Sequence, residues 1–151
     1  MTPAASATAG ARVATPAPVP ARANAAILDL YARALDAGEP EISSIAIELA
    51  VALTGSAIGY VHLMNEDQET IELGTWSAGT LAQCNAVYDR HYPISEAGVW
   101  ADSARERRAC IHNDYQALAG KRGLPEGHVV LRRHMGVPVL CEGRVVLLVG
   151  V

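Results

Sequence analysis

The sequence predicts an α+β domain built on a mainly antiparallel sheet, and the spacing of its apolar residues carries that prediction. Apolar residues recur at helical spacing as far as Leu53, and from Ala57 the period changes to two. Two pairs of β-rich runs follow, and each pair is joined by a link of hairpin length. With two short strands between these hairpins, we expect about five to six strands in one sheet.

Length and composition exclude several classes of protein. The 151 residues suit one domain, and the net charge is 12 − 16 = −4 without a dense basic tract. An acidic chain lacks the electrostatic footprint of nucleic-acid binding. No apolar run approaches the ~18–20 residues of a membrane span, so we expect no membrane partner. Three cysteines without a CxxC pair favour reduced thiols, and therefore a cytoplasmic protein.

The N-terminal region divides into a leader and two helices. Residues 1–23 are mostly Ala, Pro and Thr, which predicts a flexible leader before one domain over residues 24–151. The first helical stripe ends at Gly38 and Pro40, and the second ends at Gly55. The stripes consist of Ile27, Leu28, Tyr31 and Leu35, and of Ile42, Ile45, Leu49 and Leu53.

The middle of the chain predicts a hairpin followed by mixed elements. Strands at Ala57–Met64 and Thr70–Ser77 flank the polar link Asn65–Glu69. The elements expected next are a short helix at Thr80–Tyr88, an extended piece at His91–Ile94, a helix from Glu96 to about Arg107 with Ser95 as its N-cap, and a strand at Ala109–Asn113.

The last third predicts a long loop and a closing hairpin. Asp114–Leu131 is irregular, and loops of this length in a compact domain are usually functional or mobile. His134–Cys141 and Arg144–Val151 form the hairpin around a Glu142-Gly143 turn. Val145–Val149 is apolar enough to be a central, buried strand.

Four segments in this order resemble a GAF domain, over roughly Leu53–Val151. They are Tyr60–Trp76 around Asn65-Glu-Asp-Gln, His91-Tyr-Pro-Ile-Ser-Glu-Ala-Gly-Val-Trp-Ala-Asp102, Arg107-Arg-Ala-Cys-Ile-His-Asn-Asp-Tyr115, and Val137-Pro-Val with Gly143-Arg-Val and Gly150-Val. Thr80-Leu with Cys84, Lys121–His128 and Arg133-His-Met are similar to the GAF domains of bacterial signalling proteins, those joined to histidine kinases, PAS domains or cyclic-di-GMP turnover domains.

The resemblance implies helices on one face of the sheet and, on the other, loops and short helices that roof a small-molecule pocket. It also implies a homodimer through helices, with an output kinase or cyclase domain elsewhere. The sequence stops inside the last strand, without the long C-terminal helix that normally leads to an output domain. The Asn-Lys…Phe…Asp-Glu signature of cyclic-nucleotide binding is missing, and no cysteine precedes a histidine as in bilin attachment. The cofactor is therefore unknown, without a metal, haem or bilin signature.

Candidate ligand-binding residues are aromatic or polar groups in the predicted roof and at strand ends. They are Trp76, Cys84, Tyr92, Trp100, Asp102, Asn113, Asp114, Tyr115, His128 and His134. For the aromatic members the alternative is a purely structural place in a core without Phe. For Asn113 and Asp114 the alternative is a side-chain turn that caps the strand. Metal binding has no compact motif behind it.

The function expected from the resemblance is sensing of a small ligand, without catalysis. A second hypothesis is a dimerisation or relay module that has lost its ligand. A third is a free methionine sulfoxide reductase, a GAF-fold enzyme that uses pocket cysteines. Only Cys84 lies in the corresponding region, because Cys110 and Cys141 fall in predicted strands where thiols are usually inert.

Overall fold

The computed structural model describes residues 19–84, 91–119, 121–122 and 127–151, with the backbone alone at residues 91 and 92. Its helices are α1 (Val19–Ala34), α2 (Glu39–Thr54), α3 (Ala78–Gln83) and α4 (Asp102–Glu106), and two 3₁₀ turns cover Val99–Ala101 and Tyr115–Ala117. Its strands are β1 (Tyr60–Met64), β2 (Thr70–Trp76), β3 (His91–Pro93), β4 (Cys110–His112), β5 (His134–Cys141) and β6 (Arg144–Gly150). None of the described helices is long and apolar enough to cross a membrane.

The strands form one six-stranded sheet in the order β3-β2-β1-β6-β5-β4, and every neighbouring pair is antiparallel. This confirms the predicted fold class. The two hairpins meet through β1 and β6 at the centre of the sheet, as the apolar character of Val145–Val149 indicated. The N- and C-terminal parts of the domain therefore meet at the middle of the sheet.

The two faces of the sheet carry different layers, which is visible on β1. Successive side chains of a strand point to opposite faces. A side chain at Gly59 would meet Ile47 of α2, so the face of residues 59 and 61 packs against α2. His62 contacts Trp100, so the other face lies under the 3₁₀ turn and α4. A core of Ile71, Ala97, Ala101, Ala104, Val145 and Leu148 fills this second layer.

Helix α1 differs from its prediction at both its start and its packing. It begins at Val19, so residues 19–23, predicted as leader, are helical. Pro20 is compatible with this start because proline lacks only an N–H that the first helical turn leaves unpaired. α1 packs against α2, but Ile27, Leu28, Tyr31 and Leu35 remain between 53% and 83% exposed. The predicted apolar stripe therefore has no partner within the described chain.

The predicted helix from Glu96 to Arg107 is wrong in its first half. Residues 94–96 form a turn, and Gly98 has extended backbone at φ −69° and ψ −165°. The helix begins only at Asp102, and Ser95 caps nothing. Arg105 explains the turn, because its guanidinium donates to the carbonyls of Ile94 and Gly98 at 2.7 and 3.1 Å. These contacts stabilise a compact turn in place of a helix.

The predicted helix at Thr80–Tyr88 is confirmed in its first part. α3 begins after Ser77, whose hydroxyl accepts the N–H of Thr80 as an N-cap. It ends at Gln83, and Tyr88 lies outside the described residues.

Candidate ligand-binding cavity

A cavity of about 150 Å³ lies between the sheet and its roof. The sheet contributes side chains from β1 and β2 and the start of β5, and the roof contributes residues from the 3₁₀ turns and the loop before β5. The lining residues are Ile58, Gly59, Tyr60, His62, Leu73, Trp76, Thr80, Cys84, Gly98, Trp100, Tyr115, Arg122, His128, Leu131, Arg133, His134 and Val151. A ligand in this cavity would contact both layers at once.

Tyr60 and His62 form the floor because they are two residues apart on β1 and so share a face. Their rings stack at 4.4 Å, and Trp100 of the roof meets both edge-on at 6.1 and 5.5 Å. Gly150 lies opposite Tyr60 on β6, where an added Cβ would overlap the tyrosine ring. The glycine therefore makes the room in which the Tyr60 ring lies across the sheet.

The Tyr60 hydroxyl connects the floor to the roof and to β5. It donates to the carbonyl of Trp100 at 3.3 Å, and it lies 3.0 Å from Nε2 of His134. Burial, and then the neighbouring Tyr115, raise the pKa of Tyr60 above its ordinary value. The phenol therefore stays protonated and serves as a neutral hydrogen-bonding group.

His62 of the floor and His134 at the start of β5 are both neutral at physiological pH. Burial lowers the pKa of His62 to about 4, and the hydrogen bond to the carbonyl of Val61 opposes this only in part. Burial and then His112 lower the pKa of His134 to about 4, against the attraction of Asp102. Each ring offers one donor and one acceptor nitrogen in this state.

Unsatisfied polar atoms gather at the His134 end of the cavity. Among the described residues, the buried side-chain atoms without a hydrogen bond are Ser103 Oγ, His112 Nε2 and His134 Nδ1. The His112 and His134 rings stack at 5.9 Å, and His112 Nε2 lies 3.4 Å from Asp102 Oδ2, an ion-pair distance without hydrogen-bond geometry. Ser103 and the His134 ring both border Gly136. Since buried polar groups are normally paired, this cluster is poised to bind a water molecule or a ligand.

The charged groups on the lining are all basic. Arg122 and Arg133 lie on the rim, and both are exposed. None of the described lining residues is acidic, and neither arginine forms an ion pair within the described chain. The cavity is thus locally positive in a protein whose net charge is −4.

Six of the ten predicted site residues line the cavity. They are Trp76, Cys84, Trp100, Tyr115, His128 and His134. Asp102 lies beside it, where it pairs with Arg105 and His112. Asn113 and Asp114 are exposed, and the Asp114 carboxylate accepts the Ala117 N–H as the cap of a 3₁₀ turn. The backbone of Tyr92 lies in β3, and its side chain is outside what the structure describes.

The residues of the floor and the rim were not among the predicted site residues. Tyr60, His62 and Thr80 belong to recognised elements, and Arg122 and Arg133 lie in or beside the long loop. The alternation of side chains along β1 places Tyr60 and His62 on one face of the sheet. It does not tell which of the two faces lies under the roof. His62 was not among the candidate residues, although its ring stacks on Tyr60 and meets Trp100 edge-on in the cavity.

The cysteines take three different environments. Cys84 is buried and lines the cavity, and Cys110 is buried at the start of β4. Burial and then Glu106 raise the pKa of Cys110. Cys141 is exposed, so the expectation of a core thiol is wrong there, because the residue ends β5 at the hairpin turn. Among the described residues, no group of three His, Cys, Asp or Glu side chains is placed to hold a metal ion.

Comparison with known proteins agrees with this architecture. The GAF domain family model matches residues 36–151. The methyl sulfide methyltransferase-associated sensor of Methanosarcina acetivorans is 38% identical over 114 residues, which are 74% of this chain and 11% of that protein. The chain thus spans about a tenth of the length of this relative.

Two solved structures share the fold at low identity. The GAF domain of a phosphoenolpyruvate-protein phosphotransferase from Coxiella burnetii has a TM-score of 0.68 at 9% identity, over 87% of this chain and 75% of that one. The free methionine-R-sulfoxide reductase of Neisseria meningitidis, in complex with its substrate, has a TM-score of 0.66 at 10% identity, over 91% of this chain and 75% of that one. Because the family model matches more than half of its residues, this chain belongs to the GAF domain family.

Proposed function

We propose that this domain is a sensory module that binds a small organic molecule between the sheet and the roof. The observation that carries the proposal is the cavity, because its lining combines aromatic side chains with neutral histidines, and one of these, His134, has an Nδ1 without a hydrogen bond. Such a combination of apolar walls with a few convergent polar groups is typical of small-molecule sites. The relative from Methanosarcina acetivorans is itself named a sensor.

Ligand binding would act on the roof. The 3₁₀ turn that carries Trp100 touches the floor through the Tyr60 hydroxyl, and Arg105 fixes the turn before it. A ligand that binds better to one arrangement of these segments shifts the population toward it, by no more than its differential affinity for the two states. We expect the output, a kinase or cyclase domain as in the bacterial signalling proteins the sequence resembles, to lie elsewhere, and the domain to work in the cytoplasm.

A pair of neighbouring substitutions tests the binding proposal. Leu131 lines the cavity, whereas Val130 is 69% exposed and does not. Denaturing mass spectrometry and absorbance spectra of the purified protein detect a co-purified compound, and a thermal-shift screen of metabolites detects an added one. We expect Leu131→Trp to abolish binding of the co-purified or added ligand, and Val130→Trp to leave that binding intact. Absence of any ligand for the wild-type protein in both assays would refute the sensor.

The exposed stripe of α1 favours a homodimer, and also the alternative of a ligand-free dimerisation or relay module. Four large side chains in helical register are 53–83% exposed, and an apolar face of this kind is typical of an interface. We expect sedimentation at micromolar concentration to give a dimer that Leu28→Glu disrupts. Arg22→Glu, exposed and on another side of the same helix, is the control. A monomeric wild-type protein would count against both dimer hypotheses.

We propose that the domain is not an enzyme. The thiol reductase remains the enzymatic alternative because Cys84 lines the cavity, but neither Cys110 nor Cys141 is among the lining residues that could resolve an oxidised Cys84. Loss of free methionine sulfoxide with a reductant, measured for the wild type and for Cys84→Ser, decides between them. Turnover that depends on Cys84 would establish the reductase.

A further inference from the structure

We infer that the ligand of this cavity is a flat aromatic carboxylate. The inference rests on the proposed function, because it concerns the same cavity, and it adds the chemical class of the ligand. Three properties of the lining carry it: the concentration of aromatic rings, the donor-only character of the charged groups, and the volume.

The walls are aromatic to a degree that the composition does not require. Both tryptophans and two of the five tyrosines of the chain line the cavity. Trp100 stands at 84° to the ring of Tyr60 and at 79° to that of His62, so the roof presents an edge to a stacked floor. Aromatic groups prefer stacked and edge-to-face neighbours, and a flat ring can take either position here.

The polar groups of the lining favour an anion. Arg122 and Arg133 on the rim are permanent donors, and no described lining residue is acidic. The neutral ring of His62 adds one donor nitrogen and one acceptor nitrogen to the lining, and no charge. Arginine pairs with a carboxylate through two parallel hydrogen bonds. A cationic ligand would find no oppositely charged partner among the described lining residues.

The volume limits the size of the aromatic part. A cavity of about 150 Å³ corresponds to one aromatic ring, since an engineered cavity of that size binds benzene. Benzoate is therefore the simplest probe of this class, with its ring between the aromatic walls and its carboxylate at the arginine rim.

An isosteric series separates charge from shape. Benzoate, benzamide and benzamidine have nearly the same outline but carry negative, zero and positive charge, and cyclohexanecarboxylate keeps the charge without the flat ring. Because both tryptophans line the cavity, quenching of tryptophan emission reports occupation of this site. We expect benzoate to bind roughly tenfold or more tightly than benzamide and cyclohexanecarboxylate, and benzamidine not to bind.

Neighbouring arginines provide matched variants. Arg133→Gln removes a rim cation, whereas Arg132→Gln removes an exposed cation that does not line the cavity. We expect the first to weaken benzoate binding roughly tenfold or more and the second to leave it within about twofold. Arg122→Gln is the second rim variant, and circular dichroism confirms that each variant is folded.

The outcomes distinguish the ligand class from the sensor itself. If benzamide or benzamidine binds as well as benzoate, or if Arg133→Gln and Arg122→Gln lose no more affinity than Arg132→Gln, the inference is overturned and the sensor stands. If cyclohexanecarboxylate equals benzoate, the aromatic part of the inference is overturned. If none of the four probes binds while a metabolite in the screen does, the ligand class is wrong and the cavity still has a ligand. If nothing binds in either assay, both proposals fail.

Discussion

The two buried histidines that line the cavity make the stability of this domain depend on pH, and their burial determines the direction of that dependence. His62 and His134 are only 5% and 4% exposed, and burial lowers each pKa from 6.5 to about 4. In the unfolded chain both rings take up a proton below about pH 6.5, but in the folded chain only near pH 4. The unfolded state therefore binds more protons in this window, and the free energy of unfolding falls as the pH falls.

The magnitude follows from the two pKa values. A shift from 6.5 to about 4 corresponds to about 3 kcal/mol per ring once the pH is well below 4. About 1 kcal/mol of this is lost per ring between about pH 6 and about pH 5, so the two rings together remove about 2 kcal/mol over that interval. A domain of ordinary stability, with about 5–15 kcal/mol, would lose a measurable share.

Urea unfolding followed by circular dichroism, repeated across this pH range, measures the effect. His134→Gln cannot titrate there, so its free energy of unfolding should fall about 1 kcal/mol less than that of the wild type between about pH 6 and about pH 5. Ile47→Val, a fully buried change on the other face of the sheet, controls for destabilisation alone and should keep the wild-type pH slope. A wild-type slope in His134→Gln would refute the reasoning about the buried ring.

Three further substitutions test the packing around the cavity by urea unfolding at neutral pH. Gly150→Ala should cost about 1–3 kcal/mol because its methyl group overlaps the Tyr60 ring, and Tyr60→Leu in the same chain should restore part of it; an unchanged midpoint would contradict the observed close approach. Ser77→Ala should cost about 1–2 kcal/mol, since it removes the N-cap of α3 and an acceptor for the Gly59 N–H at 3.0 Å; a neutral effect would mean that the cap contributes nothing. Gln68→Ala should cost about 1–2 kcal/mol because its amide makes two hydrogen bonds with the β6 backbone, at 2.9 and 3.0 Å, and Gln68→Glu should keep only the one that it accepts from the Val145 N–H. Equal losses of unfolding free energy for the two Gln68 variants would show that the bond accepted from the Val145 N–H contributes nothing.

Local signals in the sequence predicted the sheet, whereas long-range contacts decided the parts that were predicted wrongly. The hairpin links Asn65–Glu69 and Glu142-Gly143 lie between the strands they join, so nearby residues contain the information. The helix expected from Glu96 does not form in its first half, because Arg105 binds the carbonyls of Ile94 and Gly98. Helical spacing of apolar residues gives no indication of such contacts.

The residues of the candidate site also fall into those that local signals predicted and those that depend on long-range contacts. Trp76 and Tyr115 were found because they lie where predicted strands end, and Trp100 because it lies in the segment predicted as roof. Tyr60 and His62 were missed because period-two alternation separates two faces without telling which one lies under the roof. That assignment depends on Trp100, which reaches β1 from a distant part of the chain.

The Tyr60 hydroxyl has a single hydrogen and two acceptors within reach, the carbonyl of Trp100 and Nε2 of His134. If His134 carries its proton on Nε2, the tyrosine donates to the carbonyl, and Nδ1 is left as an acceptor. If the proton is on Nδ1, the tyrosine must donate to the imidazole, and its bond to the Trp100 carbonyl is lost. A ligand that donates to Nδ1 therefore favours the tautomer in which the Tyr60 hydroxyl bonds the roof, and one that accepts from Nδ1 favours the other tautomer. The position of one proton in the imidazole thus links what occupies the cavity to one of the hydrogen bonds between its two layers.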